Sequence, residues 1–379
     1  MIYENAIIYY WSGTGNTLRI AKWVNEFLKN KVNNISITSI TEADPGKQIK
    51  PGKDTLLLIA SPTHGFTMPW AVIKFCLHLP IRRKTHAITI ANGAGYSYFG
   101  LLLPGITGST NLLISLILFL KGYRIKGCVS IDMPGSWPAI CPSLSKEHIN
   151  FFLKQAKTKT EKFIKIITSG KKYFFNIRNF AELIFGLASI PISFGYLIYG
   201  RLFLAKLQFA NLNCNSCGIC AENCSHKAII MKGKLKFKKP YWTFKCESCG
   251  RCISYCPRNA IETGHSMAIL IWYVATLSAS YHVFDRLFKS TIFTSFMANA
   301  YIIKLFNYVS FVCSVFLCYF ILYYLVKIPF INKIFTYTSG THWWSKYHEP
   351  SVKLRDFKST HLAVPSLFTE EKKVSSGKI

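Results

Sequence analysis

The sequence predicts a doubly wound α/β domain with a parallel sheet, followed by a small α+β cysteine-rich module and a helical apolar region. Three observations predict this order. Short apolar strands alternate with helical patterns over the first 170 residues, eight of the thirteen cysteines fall within residues 214–256, and long uncharged stretches follow residue 265. Strands that alternate with helices are typical of a parallel sheet covered on both faces. A chain of 379 residues has room for two or three domains.

The composition narrows the class of protein. Half of the residues are hydrophobic and 17% are charged, which is too apolar for a disordered chain. The formal net charge is +29, but no nucleic-acid motif accompanies it, so we expect no nucleic-acid partner. Basic charge beside uncharged apolar stretches is typical of the cytoplasmic surface of a membrane. The N-terminus lacks the basic region and apolar run of a signal peptide, so we expect reduced thiols inside the cell.

A loop of hydroxyl and glycine residues joins the first predicted strand, residues 6–11, to the first helical pattern. Backbone N–H groups at such a junction bind anions, and glycines allow a phosphate to approach. The loop is neither a Walker A motif nor a G-x-G-x-x-G dinucleotide motif, and it contains no cation. We expect a terminal phosphate on the loop, although an ordinary glycine-rich turn is the alternative. The loop residues are Ser12, Gly13, Thr14, Gly15, Asn16 and Thr17.

The remaining strands of the sheet are predicted at residues 34–40, 55–60, 86–91 and 127–133. The loops 61–66 and 92–98 follow two of these strands, and they share one sheet edge with the glycine loop. Ligands of doubly wound sheets bind at this edge, where the strand order reverses. Apolar residues 112–120 predict a buried crossover helix, and the lysine-studded pattern of residues 145–169 predicts the closing helix.

A basic and apolar linker, residues 171–205, follows this domain. Its residues 183–199 carry no charge and include Pro191. A membrane crossing here would place the two halves of the chain on opposite sides of the membrane. We therefore expect a helical linker that packs on the domains or lies on the membrane surface, with a membrane span as the alternative.

Two cysteine runs of identical spacing occupy the next segment, residues 206–265. Each run follows C-x2-C-x2-C-x3-C, and the second begins 32 positions after the first. In this pattern three cysteines of one run and the last cysteine of the other hold one [4Fe–4S] cluster. A zinc ribbon has no use for four cysteines in each run, and a disulfide framework requires an oxidising compartment. The expected ligands are Cys214, Cys217, Cys220 and Cys256 for one cluster, and Cys246, Cys249, Cys252 and Cys224 for the other.

Two apolar stretches within residues 266–328 predict a membrane anchor. Residues 305–326 are uncharged over a length that can cross a bilayer, and residues 266–283 are a second candidate. Lysine and arginine are dense before residue 265 and from residue 327 onward. Basic residues mark the cytoplasmic side of a membrane, so we expect the cofactor modules and the tail, residues 329–379, on that side. A buried helical hairpin is the alternative. The tail contains His342, Trp343, Trp344 and His348, which either pack on headgroups and the cytoplasmic domain or line a quinone or partner site.

The SGTGN loop, the basic linker and the eight-cysteine module together resemble ferredoxins that carry an N-terminal flavodoxin-like domain. The resemblance covers residues 1–265. It implies a flavodoxin-like FMN domain at residues 1–170 and a ferredoxin-like domain with two [4Fe–4S] clusters at residues 206–265. It also implies that the flavin ring lies between two loops, although surface positions for two of their side chains, His64 and Tyr96, are the alternative. The ring contacts would be Thr63, His64, Gly65 and Phe66 on one side, and Gly93, Gly95 and Tyr96 on the other.

These features predict a membrane-associated electron-transfer protein, because a flavin takes two electrons and can pass them singly to clusters. The expected partners are the membrane and an unidentified electron donor and acceptor, which are proteins or a quinone. No nucleophile–histidine pair, paired acid and base or catalytic metal motif is present in the sequence. This leaves open whether the chain is a flavin and iron–sulfur oxidoreductase. The alternatives are a redox-sensing or assembly subunit without turnover, and a flavodoxin-like domain that binds no flavin.

Overall fold

A computed structural model describes residues 3–45, 52, 54–174, 176–233, 237–278 and 300–357. Its largest element is a sheet whose parallel strands are ordered β2-β1-β3-β4-β6, with the short β5 antiparallel to the end of β4. This is the order of flavodoxin-like doubly wound sheets, in which the order reverses between β1 and β3. The strands are β1 (Asn5–Tyr10), β2 (Asn34–Ser39), β3 (Thr55–Pro62), β4 (His86–Tyr98), β5 (Leu101–Leu103) and β6 (Arg124–Pro134).

Helices cover both faces of this sheet. Alternate side chains of a strand point to opposite faces, so Ile8 packs with one pair of helices and Ile7 with the other. Because both faces are buried, each inner strand is a continuous apolar run. The helices are α1 (Asn16–Leu28) and α4 (Lys146–Thr168) on the first face, and α2 (Trp70–His78) and α3 (Thr110–Leu120) on the second.

Two expectations about this domain are corrected. The prediction of a loop at residues 92–98 is wrong, since β4 continues to Tyr98 and stays paired with β6 through Gly95. The ring of Phe152 on α4 fills the space beside Gly95, where a Cβ atom would lie 2.4 Å from it. Helix α3 is a crossover helix, as predicted, but it is buried on one face only, since Leu120 is 73% exposed.

A bent helical segment leads from the sheet to the cysteine module. It comprises α5 (Ile177–Ala188), α6 (Ile190–Gly195), a π-helical turn (Tyr196–Gly200) and α7 (Arg201–Lys206), with a bend of 63° after α5. The buried Glu182 of α5 accepts hydrogen bonds from the N–H groups of Thr107 and Gly108 at 2.9 and 2.8 Å. The segment therefore packs on the α/β domain.

The cysteine module consists of two antiparallel strand pairs and two short helices. Its sequence repeat of 32 positions recurs in the backbone. Gly218 and Gly250 have φ angles of 78° and 75°, and Ser216 and Ser248 have φ angles of 64° and 50°. The two halves are therefore built alike. The elements are β7 (Gln208–Ala210), α8 (Ile219–Glu222), β8 (Ile229–Lys232), β9 (Lys239–Trp242), α9 (Arg251–Ser254) and β10 (Ile261–Thr263), with β7 paired to β10 and β8 to β9.

The described C-terminal part is helical. Among the described residues, one single helix, Tyr301–Leu325, is long and apolar enough to cross a membrane, with a mean hydropathy of 2.1 in an 18-residue window. The first predicted span, residues 266–283, and the loop after it extend outside the described residues. The helices are α10 (His265–Ser278), α11 (Ala300–Leu325), α12 (Pro329–Tyr337) and α13 (Gly340–Trp343), followed by a 3-10 turn (Leu354–Phe357).

Candidate functional site

A cavity of about 620 Å³ lies at the carboxyl edge of the sheet, where the strand order reverses. Pockets of about 300–1,000 Å³ hold small molecules and cofactors. Two of the predicted flavin contacts lie outside the lining, since Gly15 faces the C-terminal segment and Gly95 faces α4. The other predicted contacts all line the cavity: Ser12, Gly13, Thr14, Asn16, Thr17, Thr63, His64, Gly65, Phe66, Gly93 and Tyr96.

The glycine loop presents a helix start to this cavity. Gly15 is the N-cap of α1 with φ of 105°, and none of the described side chains caps the helix. The first N–H groups of a helix have no partner within the helix, so they can bind an anion. Within the loop, Ser12 Oγ accepts a hydrogen bond from the Gly15 N–H at 3.2 Å, and Asn16 Nδ2 donates to the Pro134 carbonyl at 2.8 Å. The loop is therefore held in shape while its helix end stays open.

Two buried amide oxygens in the cavity lining test whether FMN fits. Asn16 Oδ1 and Asn92 Oδ1 have no hydrogen-bond partner among the described residues. Buried polar atoms are normally hydrogen-bonded, so these two oxygens call for a donor from a ligand. The ribityl hydroxyl groups of FMN are such donors, and its phosphate suits the open end of α1. The residues of this cavity fit FMN.

Aromatic side chains form one wall of the cavity. The rings of His64 and Trp137 are stacked, with centroids 4.8 Å apart and an interplanar angle of 9°. The hydroxyl of Tyr196 lies 3.4 Å from His64 Nδ1, and Trp11 meets His64 edge-on at 5.5 Å. Burial lowers the pKa of His64 to about 4, so its imidazole is neutral at physiological pH.

Sequence reasoning missed Trp137 and Tyr196. Trp137 follows the last strand of the sheet, and its position at the carboxyl edge is a signal that could have identified it. Tyr196 comes from the linker, where no local pattern marks a ligand site. Its ring fills the space beside Gly65, where a Cβ atom would lie 2.4 Å away.

The eight cysteines of the two runs line one connected cavity in the module. Burial, together with the nearby thiols of Cys214, Cys256 and Cys217, raises the pKa of Cys220 to about 12. Burial likewise raises the pKa of Cys249, to which the thiol of Cys224 also contributes. Cys256 thus lies near Cys214, Cys217 and Cys220, and Cys224 lies near Cys246 and Cys249. The division of the eight cysteines between two clusters stays a prediction of the spacing.

The chemistry of this site fits iron–sulfur clusters. Buried thiols with raised pKa values stay protonated until a metal centre binds them as thiolates and releases their protons. The N–H groups of Ala228 and Ala260 each donate to a cysteine sulfur at 3.3 Å, at equivalent positions of the repeat. Such N–H···S bonds set the reduction potential of a cluster. Within the described part of the chain, no three His, Cys, Asp or Glu side chains converge on one metal ion, and all thirteen cysteines are free of disulfides.

The two sites touch each other. Cys249 lines the flavin-type cavity, and a Cβ atom on Gly13 would lie 2.2 Å from the Cys249 carbonyl oxygen. The buried Arg251 donates hydrogen bonds to the carbonyl oxygens of Ser12 at 2.6 Å, Gly13 at 3.1 Å and Asn223 at 3.0 Å. The glycine loop contains no cation of its own, and the cysteine module supplies one immediately behind it.

The described part of the tail covers this junction. The Glu349 N–H donates to the Thr14 carbonyl at 2.9 Å, and the Tyr255 hydroxyl donates to the Val352 carbonyl at 3.0 Å. Of the tail histidines, His348 stacks obliquely on Tyr255 at 4.3 Å, and His342 Nδ1 lies 3.6 Å from a carboxylate oxygen of Glu262. The tail therefore packs on the cysteine module and on the glycine loop.

A sequence-family model for a 4Fe-4S binding domain matches residues 240–262, which contain the second cysteine run. A comparison with curated proteins finds no match. The match shows a 4Fe–4S binding domain at the second cysteine run.

Solved structures similar to the N-terminal part include two flavodoxins and one longer protein. A flavodoxin from the domain Archaea is 15% identical, with 42% of this chain and 99% of that chain covered and a TM-score of 0.28. The Streptococcus pneumoniae TIGR4 flavodoxin is 18% identical, with 41% and 99% covered and a TM-score of 0.27. The rubredoxin oxygen:oxidoreductase from Desulfovibrio gigas is 13% identical, with 43% and 36% covered and a TM-score of 0.27.

At these identities and TM-scores, the fold assignment rests on the strand order of the sheet itself. The chain joins a flavodoxin-like α/β domain to a ferredoxin-type 4Fe–4S domain. These two features support a role in electron transfer.

Proposed function

We propose that the chain is a membrane-associated electron-transfer protein that carries electrons between FMN and two [4Fe–4S] clusters. The observation that carries this proposal is the contact between the two sites, since Cys249 belongs both to the second cysteine run and to the lining of the flavin-type cavity. When bound, FMN supplies two-electron chemistry and the clusters carry one electron each.

The residues of the cavity have distinct roles in this proposal. The glycine loop and the open N-terminus of α1 hold the phosphate. Neutral His64, with Trp137 and Tyr196 behind it, shapes the site of the flavin ring and excludes water from it. Arg251 joins the loop to the second cysteine run and places positive charge between two anionic cofactors.

The geometry supports an order for the relay. A cluster on Cys246, Cys249, Cys252 and Cys224 would lie next to the flavin-type cavity, which Cys249 also lines. A cluster on Cys214, Cys217, Cys220 and Cys256 would lie farther away, since none of these four lines that cavity, and Cys217 is exposed to solvent. We therefore place the contact with a soluble redox partner at Cys217, at the end of the relay away from the flavin.

Helix α11 supports the membrane association. The Lys327 ammonium group lies 4.2 Å from the ring centroids of Tyr323 and of Tyr324, just beyond the end of the apolar helix. Lysine with aromatic residues at a helix end is typical of the membrane–water interface. The base of α11 packs on the cysteine module, where Tyr323 meets Tyr241 at 5.2 Å. This arrangement favours cofactor domains at the cytoplasmic surface of the membrane.

Anaerobic purification of the full chain from membranes tests the proposal. We expect about eight irons and one FMN per chain, and redistribution of electrons between flavin and clusters after rapid partial reduction. Cys249→Ser should leave about four irons and stop the redistribution, while Cys217→Ser should leave about four irons and preserve transfer between FMN and the remaining cluster. Cys313→Ser, on the exposed surface of α11, is the matched control. About four irons in the unmodified chain, or zinc in place of iron, would contradict the proposal.

The contacts of the tail favour one second candidate, a redox sensor. The tail joins the membrane helix to the glycine loop through the Glu349–Thr14 hydrogen bond, so a change at the flavin site could be passed to the membrane region. Steady turnover with a physiological donor supports electron transfer. A redox-dependent change in protease cleavage of the tail, without turnover, supports the sensor.

A further inference from the structure

The rim of the flavin-type cavity is apolar and comes from segments outside residues 12–17, 61–66 and 92–98. Ile192 belongs to α6 and Leu204 to α7, while Leu103 and Ile106 lie on or after β5. Ile192 is 59% exposed and Ile106 is 42% exposed. A rim of exposed aliphatic side chains around a cofactor cavity indicates that something apolar covers it.

The apolar surface continues outward from this rim on both sides. Next to Leu103, the hairpin of β4 and β5 presents Phe99 and Leu101, which are 93% and 65% exposed. Next to Ile192, α6 presents Phe194, which is 65% exposed. The rim is thus part of a larger apolar surface, which we call the apolar collar and which consists of residues 98–106 and 190–199.

The apolar collar is continuous with the membrane helix. The Tyr199 hydroxyl lies 2.8 Å from the Tyr308 hydroxyl of α11. Further along, Leu204 packs in the same apolar cluster as Val315 of α11. The bent segment Ile177–Lys206 is itself apolar enough to be a broken or re-entrant membrane segment. The wall of the flavin-type cavity therefore runs beside the helix that could cross the bilayer, and in a bilayer crossed by this helix the collar would face lipid.

We propose that the apolar rim is a binding site for a lipid-soluble quinone-type carrier, which enters the flavin-type cavity from the bilayer between α6 and the β4–β5 hairpin. This inference rests on the proposed function, because it requires both flavin and membrane. A quinone takes up two electrons and two protons to become a quinol, and a fully reduced flavin releases the same number when it is oxidised. The reaction balances in either direction without another reactant.

The cavity has the groups that such a carrier requires. Aliphatic side chains of the rim contact the ring and the hydrocarbon tail, while a hydroxyl group inside the cavity can donate a hydrogen bond to a quinone oxygen. Tyr196 carries such a hydroxyl, which donates to a quinone oxygen when His64 Nδ1, 3.4 Å away, is the protonated nitrogen, and it comes from the same bent segment as Ile192. One segment thus forms both the apolar entry and a polar contact.

The test measures equilibrium binding of a decyl-benzoquinone to the full chain, carrying its cofactors, in lipid nanodiscs, with empty nanodiscs subtracted. We expect Ile192→Glu to weaken binding at least tenfold, because a carboxylate at the rim disfavours an apolar ligand. Ile230→Glu is the matched control, since Ile230 is an isoleucine of the cysteine module that is 48% exposed and lies away from the rim. Leu103→Glu is a second rim variant on a different element.

The site is supported if quinone binding is saturable, if both rim variants weaken it and if Ile230→Glu preserves it. All variants must carry equal FMN and iron contents. A lack of saturable binding in the unmodified chain, or equal affinity in all variants, overturns it. If the rim variants instead lose a co-purifying protein and keep quinone binding, a protein covers the collar and the proposal is also overturned. Electron redistribution between flavin and clusters, measured in the same samples without quinone, shows separately whether the proposed function stands.

Discussion

Replacement of Arg251 by methionine should weaken the flavin site from the opposite domain. Arg251 is 8% exposed, and its acceptors among the described residues are the carbonyl oxygens of Ser12, Gly13 and Asn223. Methionine keeps an apolar stem of similar length, so the substitution removes the charge and the donors more than the packing. The glycine loop would lose the two hydrogen bonds that hold it against the second cysteine run.

The expected loss of FMN affinity in Arg251→Met follows from these contacts. A hydrogen bond from a charged donor contributes about 1.5–3 kcal/mol, and the loss is smaller where water can replace the donor. Two bonds to the loop, partly replaced by water, correspond to about 2 kcal/mol in the free energy of FMN binding. At about 1.4 kcal/mol per tenfold change, the Kd for FMN should rise about 30-fold. Arg251→Lys keeps the charge but not the planar fork of donors, so its effect should be smaller.

The assay is fluorescence titration of the flavin-depleted chain with FMN, at constant ionic strength and with the iron content measured in parallel. Arg258→Met is the matched control, since Arg258 is an exposed arginine of the same cysteine run. A Kd for Arg251→Met within threefold of the unmodified chain would refute the reasoning. An equal loss of affinity in Arg258→Met would show that net charge, and not the hydrogen bonds of Arg251, is responsible.

Three further predictions test the junction and the aromatic wall. Gly13→Ala would place a Cβ atom 2.2 Å from a cysteine-run carbonyl and should reduce the FMN and iron contents. Gly195→Ala, in an open helical position, is the control and should stabilise the chain by about 0.5–1 kcal/mol. Equal cofactor contents in the two variants would contradict the close contact at Gly13. The pKa of His64 is lowered to about 4, so the unfolded chain binds the proton first and the free energy of unfolding falls as pH drops from 7 to 5. His64→Gln should reduce the pH dependence of the free energy of unfolding, measured in urea, by up to about 1.4 kcal/mol per pH unit. An unchanged pH dependence would contradict a buried neutral imidazole. Trp137→Phe keeps the stacking on His64 but loses its hydrogen bond to the cysteine run, and it should cost about 1 kcal/mol in the same measurement, against about 3 kcal/mol for Trp137→Ala. An unchanged stability of Trp137→Phe would contradict the role of the bond, and equal costs of the two variants would contradict the role of the stacking.

Local patterns predicted much of the fold. The strand that begins with Thr55 is recognisable because both of its faces are buried, which produces a continuous apolar run. The closing helix is recognisable because its apolar residues recur along one face, with Ser145 as a capping residue at its start. The end of β4 was not predictable in this way, since the pairing of Gly93 and Gly95 with β6 is decided by a partner strand distant in sequence.

The candidate site likewise contains residues that the sequence predicted and residues that it did not predict. The cysteine runs and the glycine loop were predicted because each acts through residues within a few positions of one another. Trp137, Tyr196 and Arg251 were not predicted, since each reaches the site from a different segment of the chain. Tyr196 in particular lies in an uncharged helical linker, where its residue type fits a packing role as well as a ligand site.

The sequence by itself determined the two binding motifs, because ligand spacing and the turn between a strand and a helix are local properties of the chain. Only the tertiary structure decided that the motifs meet, that the second cysteine run faces the flavin-type cavity, and that an apolar rim adjoins the long apolar helix α11. Arg251 and Gly13 are 238 positions apart and are nevertheless hydrogen-bonded. Contacts over such separations depend on how whole domains pack, and this packing leaves no periodic signal in either segment.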